Sequence, residues 1–216
     1  MNPHHTMKGV FFDKGRIYTK NAIPGMSVYG ERVKREHGTE YREWDATRSK
    51  LSAAILKKIN LDIKEDATIL YLGASTGTTV SHLSDMLISG NIYAIEFSPT
   101  VLRELVFIAE QRKNIAPLLA DANHPENYPP LPKVDIVYMD ISQKNQVEIF
   151  IKNINRFLKK GGIACLAVKA RSIDVTKDPR VIYKDVLQQL QQQGTVVDWK
   201  DLDPYEKDHA FFVLRR

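Results

Sequence analysis

The sequence predicts an α/β fold: a seven-stranded, mostly parallel sheet covered by helices and preceded by a small antiparallel β region. Three observations carry that expectation. From Thr68 onward, strand-type and helix-type patterns alternate over short connections, as they do when crossover helices cover a parallel sheet. The first apolar run, Ile69-Leu70-Tyr71-Leu72, breaks at Gly73 and opens a helix at Gly77, in the manner of a nucleotide-binding βαβ unit. Residues 1–48 read differently, as short β-type runs divided by Gly, Pro and Asn.

Strands are expected near 68–72, 91–97, 115–120, 134–140, 162–169, 195–202 and 208–214. Helical patterns fall between them near 77–87, 99–112, 146–159 and 179–193. Ser98-Pro99 opens the second helix with a capping side chain and a preset φ, Gly161-Gly162 closes the third, and Gly194 ends the fourth. The run Val134-Asp135-Ile136-Val137-Tyr138-Met139 alternates only weakly, as a strand buried on both faces does. No helix separates the last two strands, so they should form an antiparallel hairpin at one side of the sheet. Ahead of them, Gly9-Val10-Phe11-Phe12-Asp13, Arg16-Ile17-Tyr18-Thr19 and Ser27-Val28-Tyr29 are read as short strands. Thr47 to Ile59 turns helical, with Leu51, Ala54, Ile55 and Lys58 on one face. The expected division is a β subdomain at 1–48 and a main α/β domain at 49–216.

A chain of 216 residues, 43% of them hydrophobic, buries one good core and a small appendage. No apolar run reaches the roughly 18 residues that span a bilayer. The start, Met1-Asn2-Pro3-His4-His5, lacks the plan of a signal peptide, so a soluble intracellular protein is expected. The lone Cys165 lies in an apolar strand and reads as a buried, inert thiol; a disulfide within the chain is excluded. A net charge of +5 favours an anionic partner but is small for a protein that must hold nucleic acid unaided.

The glycine turn narrows the ligand. A dinucleotide fingerprint needs a middle glycine for the pyrophosphate, and Ser75 stands there, so a ligand with adenosine but no diphosphate fits better. S-adenosylmethionine is the candidate. Ligands of open parallel sheets lie beyond the carboxyl ends of the strands, where this chain places Glu96-Phe97, Asp121-Ala122, Asp140 and Lys169. Glu96 would take the ribose, Phe97 the adenine face, and Asp121 with Ala122 the base edge. The methionine half would rest near Gly73 and Asp140, with Ala74, Thr78 and Thr79 at the helix start and Gln143 at the cleft. Any one of these residues alone reads as a solvated strand terminus; their joint placement makes a site. Lys169 emerges from a core strand near Asp140, which is unusual for a lysine. No close-spaced His/Cys ligand set is present, and no metal is expected.

Another enzyme class competes. Gly73-Ala74-Ser75-Thr76-Gly77 matches a nucleophile elbow, and Ser75, Asp140 and His209 fall in hydrolase order. Against it, Ser75 follows the first strand of the main domain, no HGG-type oxyanion segment exists, and Lys50, Glu96 and Lys169 are left without a role.

The segments Val28-Tyr29-Gly30-Glu31, Tyr41-Arg42-Glu43-Trp44 with Arg48-Ser49-Lys50-Leu51, Gly73 to Thr79, and Asp208-His209-Ala210-Phe211 resemble those of fibrillarin over essentially the whole chain. The resemblance implies a Rossmann-like class I methyltransferase fold and S-adenosylmethionine-dependent methylation of ribose 2′-hydroxyls in ribosomal and transfer RNA, inside a box C/D guide-RNA particle. It implies as partners a Nop-family scaffold protein, a kink-turn-binding ribosomal-type protein, the guide RNA and the target RNA. The family's catalytic Lys-Asp-Lys-His set falls on Lys50, Asp140, Lys169 and His209, all present, which argues against a scaffold that has lost the reaction. The chain shows no glycine-arginine-rich leader and is similar to the shorter archaeal members, for which a cytoplasmic location is expected. One departure is Asp45-Ala46, where the family often carries Asn-Pro. No RRM signature, KH loop, zinc finger or basic tract is found, so target choice is expected to come from partners.

Overall fold

A computed structural model describes residues 1–216. The amino-terminal third forms β1 (Asn2–Pro3), β2 (Val10–Asp13), β3 (Arg16–Lys20), β4 (Val33–Glu36) and β5 (Thr39–Glu43), followed by helix α1 (Lys50–Leu56). The rest alternates β6 (Thr68–Leu72), α2 (Thr78–Met86), β7 (Asn91–Glu96), α3 (Pro99–Gln111), β8 (Ile115–Leu119), β9 (Val134–Met139), α4 (Gln146–Phe157) and β10 (Leu158–Lys169). It ends with α5 (Ala170–Ile173), α6 (Pro179–Gln191), β11 (Thr195–Asp201) and β12 (His209–Arg215).

The first five strands make an antiparallel sheet, ordered β1-β2-β3-β5-β4. The other seven make the main sheet, ordered β11-β12-β10-β9-β6-β7-β8, in which only β12 runs against its neighbours. The expected seven strands and the terminal hairpin are therefore present, with the hairpin at one edge. Strand order reverses between β6 and β9: the chain leaves β6 toward β7 and β8, then returns to β9 and moves outward the other way. Such a switch point opens a crevice at the strands' carboxyl ends.

Both faces of the sheet are covered, which is why its strands read as continuous apolar runs. Ile69, Tyr71, Tyr138, Cys165 and Phe211 face a cluster with Leu51, Val80, Leu83 and Leu105. Leu70, Leu72, Met139, Leu166 and Phe212 face Phe150, Ile154, Ile182 and Val186 on the other side. The first cluster also takes in Met7, Val10, Ile17 and Trp44, so apolar packing runs across the sequence boundary at 48/49. Cys165 is buried and desolvation pushes its thiol well up, as an inert thiol requires. No helix is long and apolar enough to cross a membrane.

Three local expectations need correction. Ser27-Val28-Tyr29 is not a strand: the Val28 and Tyr29 N–H groups donate to the Glu31 carboxylate, at 2.9 and 2.8 Å, so the segment turns back on a side chain. The helix expected from Thr47 to Ile59 covers only Lys50–Leu56, because Asp45 Oδ1 closes a turn on the Thr47 N–H at 2.8 Å and Ser49 caps the first turn. That turn is made by the residue standing where the family often has Asn. The strand expected from 162 starts at Leu158, and its pairing with β9 shifts register between Leu158 and Ile163, across Gly161-Gly162.

Candidate active site

Lys50 at the start of α1, Asp140 just past β9, Lys169 at the end of β10 and His209 at the start of β12 lie at the same end of the main sheet, Lys50 paired with Asp140 and Lys169 opposed to His209. Lys50 opens α1 and its Nζ lies 3.3 Å from Asp140 Oδ2. Lys169 and His209 are directly opposed in the β10/β12 ladder, and opposed residues project to the same face. Asp140 follows β9 at the switch point, its N–H donating to Leu72 O at 3.0 Å. Gly73 makes that approach possible. It has φ +79°, and a Cβ there would lie 2.5 Å from Asp140 O.

Each residue is held from behind. Ser49 Oγ is 2.9 Å from Thr79 Oγ1, and Ser52 Oγ donates to Trp44 O at 2.7 Å, so α1 is fastened to α2 and to the end of the small sheet. The Lys169 main chain is clamped by the fully buried Gln146 amide, which accepts from Lys169 N at 3.1 Å and donates to Lys169 O at 3.2 Å. Ala170 N donates to Asp208 O at 3.0 Å, joining the next residues of the two strands. His209 Nδ1 lies 2.7 Å from Lys207 O; a carbonyl only accepts, so Nδ1 carries the proton and Nε2 is the acceptor of the neutral ring.

A fifth ionisable group joins them. Glu206 Oε1 is 3.9 Å from Lys50 Nζ, and Oε2 is 3.9 Å from His209 Nδ1. Desolvation raises the Glu206 pKa above the ordinary glutamate range; Asp140 adds to the rise, and Lys50, His209 and Lys169 oppose it. Neither Gln146 nor Glu206 is singled out by sequence reasoning: the contacts of Gln146 with Lys169 and of Glu206 with Lys50 join separate parts of the chain.

Beside this cluster lies the glycine turn. Glu96 ends β7, with Oε2 accepting from Ser75 N at 2.8 Å and Oε1 from Ser98 N at 2.9 Å. The carboxylate is thus aimed before any ligand arrives, with lone pairs to spare. Phe97 beside it is 70% exposed, an open aromatic face. Gly77 caps α2 in the left-handed region without a side-chain bond, leaving first-turn N–H groups such as that of Thr78 free for a ligand. Ala74 and Ala122 are buried. Thr79 is buried as well, its hydroxyl spent on Ser49.

Asp121 Oδ1 accepts from both Asn123 N and Nδ2 at 2.9 Å. Burial works against its charge, but those bonds and His124 prevail and hold its pKa below the usual range. Gln143 Oε1 accepts from Asn123 Nδ2 at 3.1 Å, so Gln143 and Asp121 share a partner. The hydrolase reading meets a different geometry: Asp140 is spent on Lys50 and His209 Nδ1 on a carbonyl, so no Asp–His relay reaches the exposed Ser75.

The fibrillarin family profile matches residues 1–216. The chain belongs to the fibrillarin family. Among its relatives, the fibrillarin-like rRNA/tRNA 2′-O-methyltransferase of Thermococcus gammatolerans is 50% identical, with 98% of this chain and 97% of that protein aligned. Aeropyrum pernix fibrillarin, solved with natively bound S-adenosyl-L-methionine, superposes with a TM-score of 0.88 at 43% identity, covering 99% of this chain and 96% of the other. The fibrillarin chain of a fibrillarin/Nop5p complex superposes at 0.92 with 42% identity, covering 99% and 100%. The whole plan, small sheet included, is thus the fibrillarin plan.

Proposed function

We propose that this chain is an S-adenosylmethionine-dependent RNA 2′-O-methyltransferase, the catalytic subunit of a guide-RNA-directed box C/D particle acting on ribosomal and transfer RNA. The observation that carries the reading is the convergence of Lys50, Asp140, Lys169 and His209 next to a pocket with a pre-aimed carboxylate, an open aromatic ring and free helix-start N–H groups. Family membership supports it.

The pocket residues suit adenosine. Glu96 accepts the ribose hydroxyls, Phe97 stacks on the adenine, Asp121 and Ala122 read the base edge, and Gly73, Ala74, Thr78 and Thr79 shape the turn. Asp140 and Gln143 border the methionine end. Bound S-adenosylmethionine supplies a methyl group already activated by its sulfonium. The protein's first task is then to hold the ribose 2′-oxygen in line behind that carbon. As the oxygen–carbon bond forms, the carbon–sulfur bond breaks with its electron pair on sulfur, and the hydroxyl proton must leave. Lys169 is assigned to the 2′-oxygen, as the base that takes the proton or as the ammonium that stabilises the developing alkoxide. Asp140 and Lys50 orient it, and His209 completes the network.

A net charge of +5 gives limited phosphate neutralisation, so the partners are assigned the work of choosing the ribose: a Nop-family scaffold, a kink-turn-binding protein and the guide RNA. The test is methylation with labelled donor at one salt concentration. The purified chain on naked RNA should give little or no site-specific product, and adding scaffold, kink-turn protein and matched guide should restore it at a single ribose. Efficient single-site methylation by the chain alone would refute the dependence on partners; an inert complete particle would refute the enzyme reading.

A further inference from the structure

We infer that Glu206 is a positioning residue of the methyl transfer, a second carboxylate that faces Lys50 together with Asp140 and borders His209. The inference rests on the methyltransferase reading above.

Lys50 Nζ has two carboxylates within reach, Asp140 at 3.3 Å and Glu206 at 3.9 Å. The other Glu206 oxygen is 3.9 Å from His209 Nδ1. One side chain therefore faces two of the four converging residues. All three charged partners are sheltered, with side-chain exposures of 22% for Lys50, 18% for Asp140 and 16% for Glu206, so little water competes for them.

The loop that presents Glu206 is built for the purpose. In the β11–β12 hairpin, Tyr205 N and Glu206 N both donate to Leu202 O, at 2.9 and 3.2 Å, and Leu202 N donates to His209 O at 2.9 Å. Lys57 at the far end of α1 donates to Asp203 O at 2.6 Å. The loop is thus pinned to α1 at two points, one of them Lys50 itself. With Glu206 ionised, two lysines face two carboxylates and the cluster is balanced. With Glu206 neutral, Lys50 keeps a single carboxylate and can swing toward it.

The groups facing Glu206 are Lys50 from α1, Asp140 beyond β9, Lys169 from β10 and His209 from β12. Desolvation outweighs its cationic neighbours and raises its pKa, so the ionised form is held at a net cost to the fold, as functional carboxylates often are.

The experiment uses the assembled particle and compares wild type, Glu206→Gln and Glu206→Asp. Single-turnover methyl transfer should fall about tenfold or more in Glu206→Gln, which keeps the shape and loses the charge. Glu206→Asp, with the charge drawn back by one methylene, should recover part of the rate. S-adenosylmethionine affinity should stay within about threefold of wild type. The thermal midpoint of Glu206→Gln at neutral pH should be unchanged or higher. Wild type should lose rate as pH falls through the Glu206 titration, above the ordinary glutamate range, while Glu206→Gln lacks that limb, so the two rates converge toward acid pH. A Glu206→Gln rate within twofold of wild type refutes the inference, as does a loss matched by an equal loss of donor affinity or accompanied by unfolding in both variants. Failure of the wild-type particle to methylate is a different result: it removes the enzyme reading and this inference with it.

Discussion

Replacing Glu96 by Gln strikes the proposed cofactor pocket without touching the lysines. In the folded chain the two carboxylate oxygens already hold Ser75 N at 2.8 Å and Ser98 N at 2.9 Å, each with a lone pair left for a ribose hydroxyl. A glutamine offers one carbonyl oxygen and one NH2, so one hydroxyl loses its acceptor. Hydrogen bonds to charged groups contribute about 1.5 to 3 kcal/mol, which predicts roughly 10- to 150-fold weaker donor binding. Because the substitution also disturbs the turn at Ser75, the decisive measurement is a thermodynamic cycle. Calorimetry with S-adenosylhomocysteine and its 2′-deoxy and 3′-deoxy analogues on wild type and Glu96→Gln isolates the contact with each ribose hydroxyl. Wild type should discriminate against the analogues, and Glu96→Gln should do so by about 1 kcal/mol less for at least one of them. Equal discrimination by both proteins, against the 2′-deoxy and the 3′-deoxy analogue alike, would show that Glu96 does not bind the ribose hydroxyls.

Lys169→Ala should abolish methyl transfer while donor affinity stays within a small factor, because its assigned partner is the RNA hydroxyl; normal methylation by this variant in the assembled particle would overturn the assignment. Stability should depend on pH through His82, which is fully buried, with Thr19 Oγ1 2.7 Å from Nδ1 and the Tyr29 hydroxyl 2.8 Å from Nε2. Desolvation, reinforced by Arg42 and Arg112, drives its pKa well below 6.5, so the unfolded chain binds a proton that the folded chain refuses. Stability is then complete above the unfolded pKa and falls as pH drops below it. Denaturant titration at neutral and mildly acid pH measures the difference; a wild type equally stable at both would contradict a neutral buried His82.

Much of this architecture is legible because burial on both faces makes β6, β9 and β10 read as apolar runs, and the residue that ends such a run is exposed by default. That logic reaches Glu96, Asp140 and Lys169. It does not reach Lys50 or His209, which come from the family resemblance, nor Gln146 and Glu206. Gln146 contacts Lys169, 23 residues away, and Glu206 contacts Lys50 across most of the chain; neither pairing leaves a local pattern. The β4–β5 hairpin is missed for a related reason. Val33–Glu36 and Thr39–Glu43 are largely charged, and the burial of Glu40 and Arg42 is made tolerable by partners on other elements.

Those partners explain why motifs remote from the chemistry carry the family resemblance. Arg42 has a fully buried side chain whose guanidinium meets Glu31, Asp85 (2.8 Å) and Ser81 Oγ (2.9 Å), while Arg112 takes the other Asp85 oxygen. Trp44 stacks on His82 at 4.9 Å, and Tyr29 joins His82 to the Glu43 carbonyl. Asp85, Ser81 and His82 all belong to α2, the helix that starts at the glycine turn, so this network bolts the small sheet to the helix that follows that turn. Trp44 O then receives Ser52 of α1, and Ser49 receives Thr79 of α2, which fixes Lys50 relative to both. Removing one member of a buried ion pair typically costs about 3 to 5 kcal/mol, because its partner is left charged and dry. The small sheet is therefore not a detachable ornament. It sets where α1 lies, and a misplacement of about 1 Å in a reacting group can cost on the order of 100-fold in rate. Tyr29, Glu31, Arg42 and Trp44 need touch neither donor nor RNA for their identity to matter to the reaction.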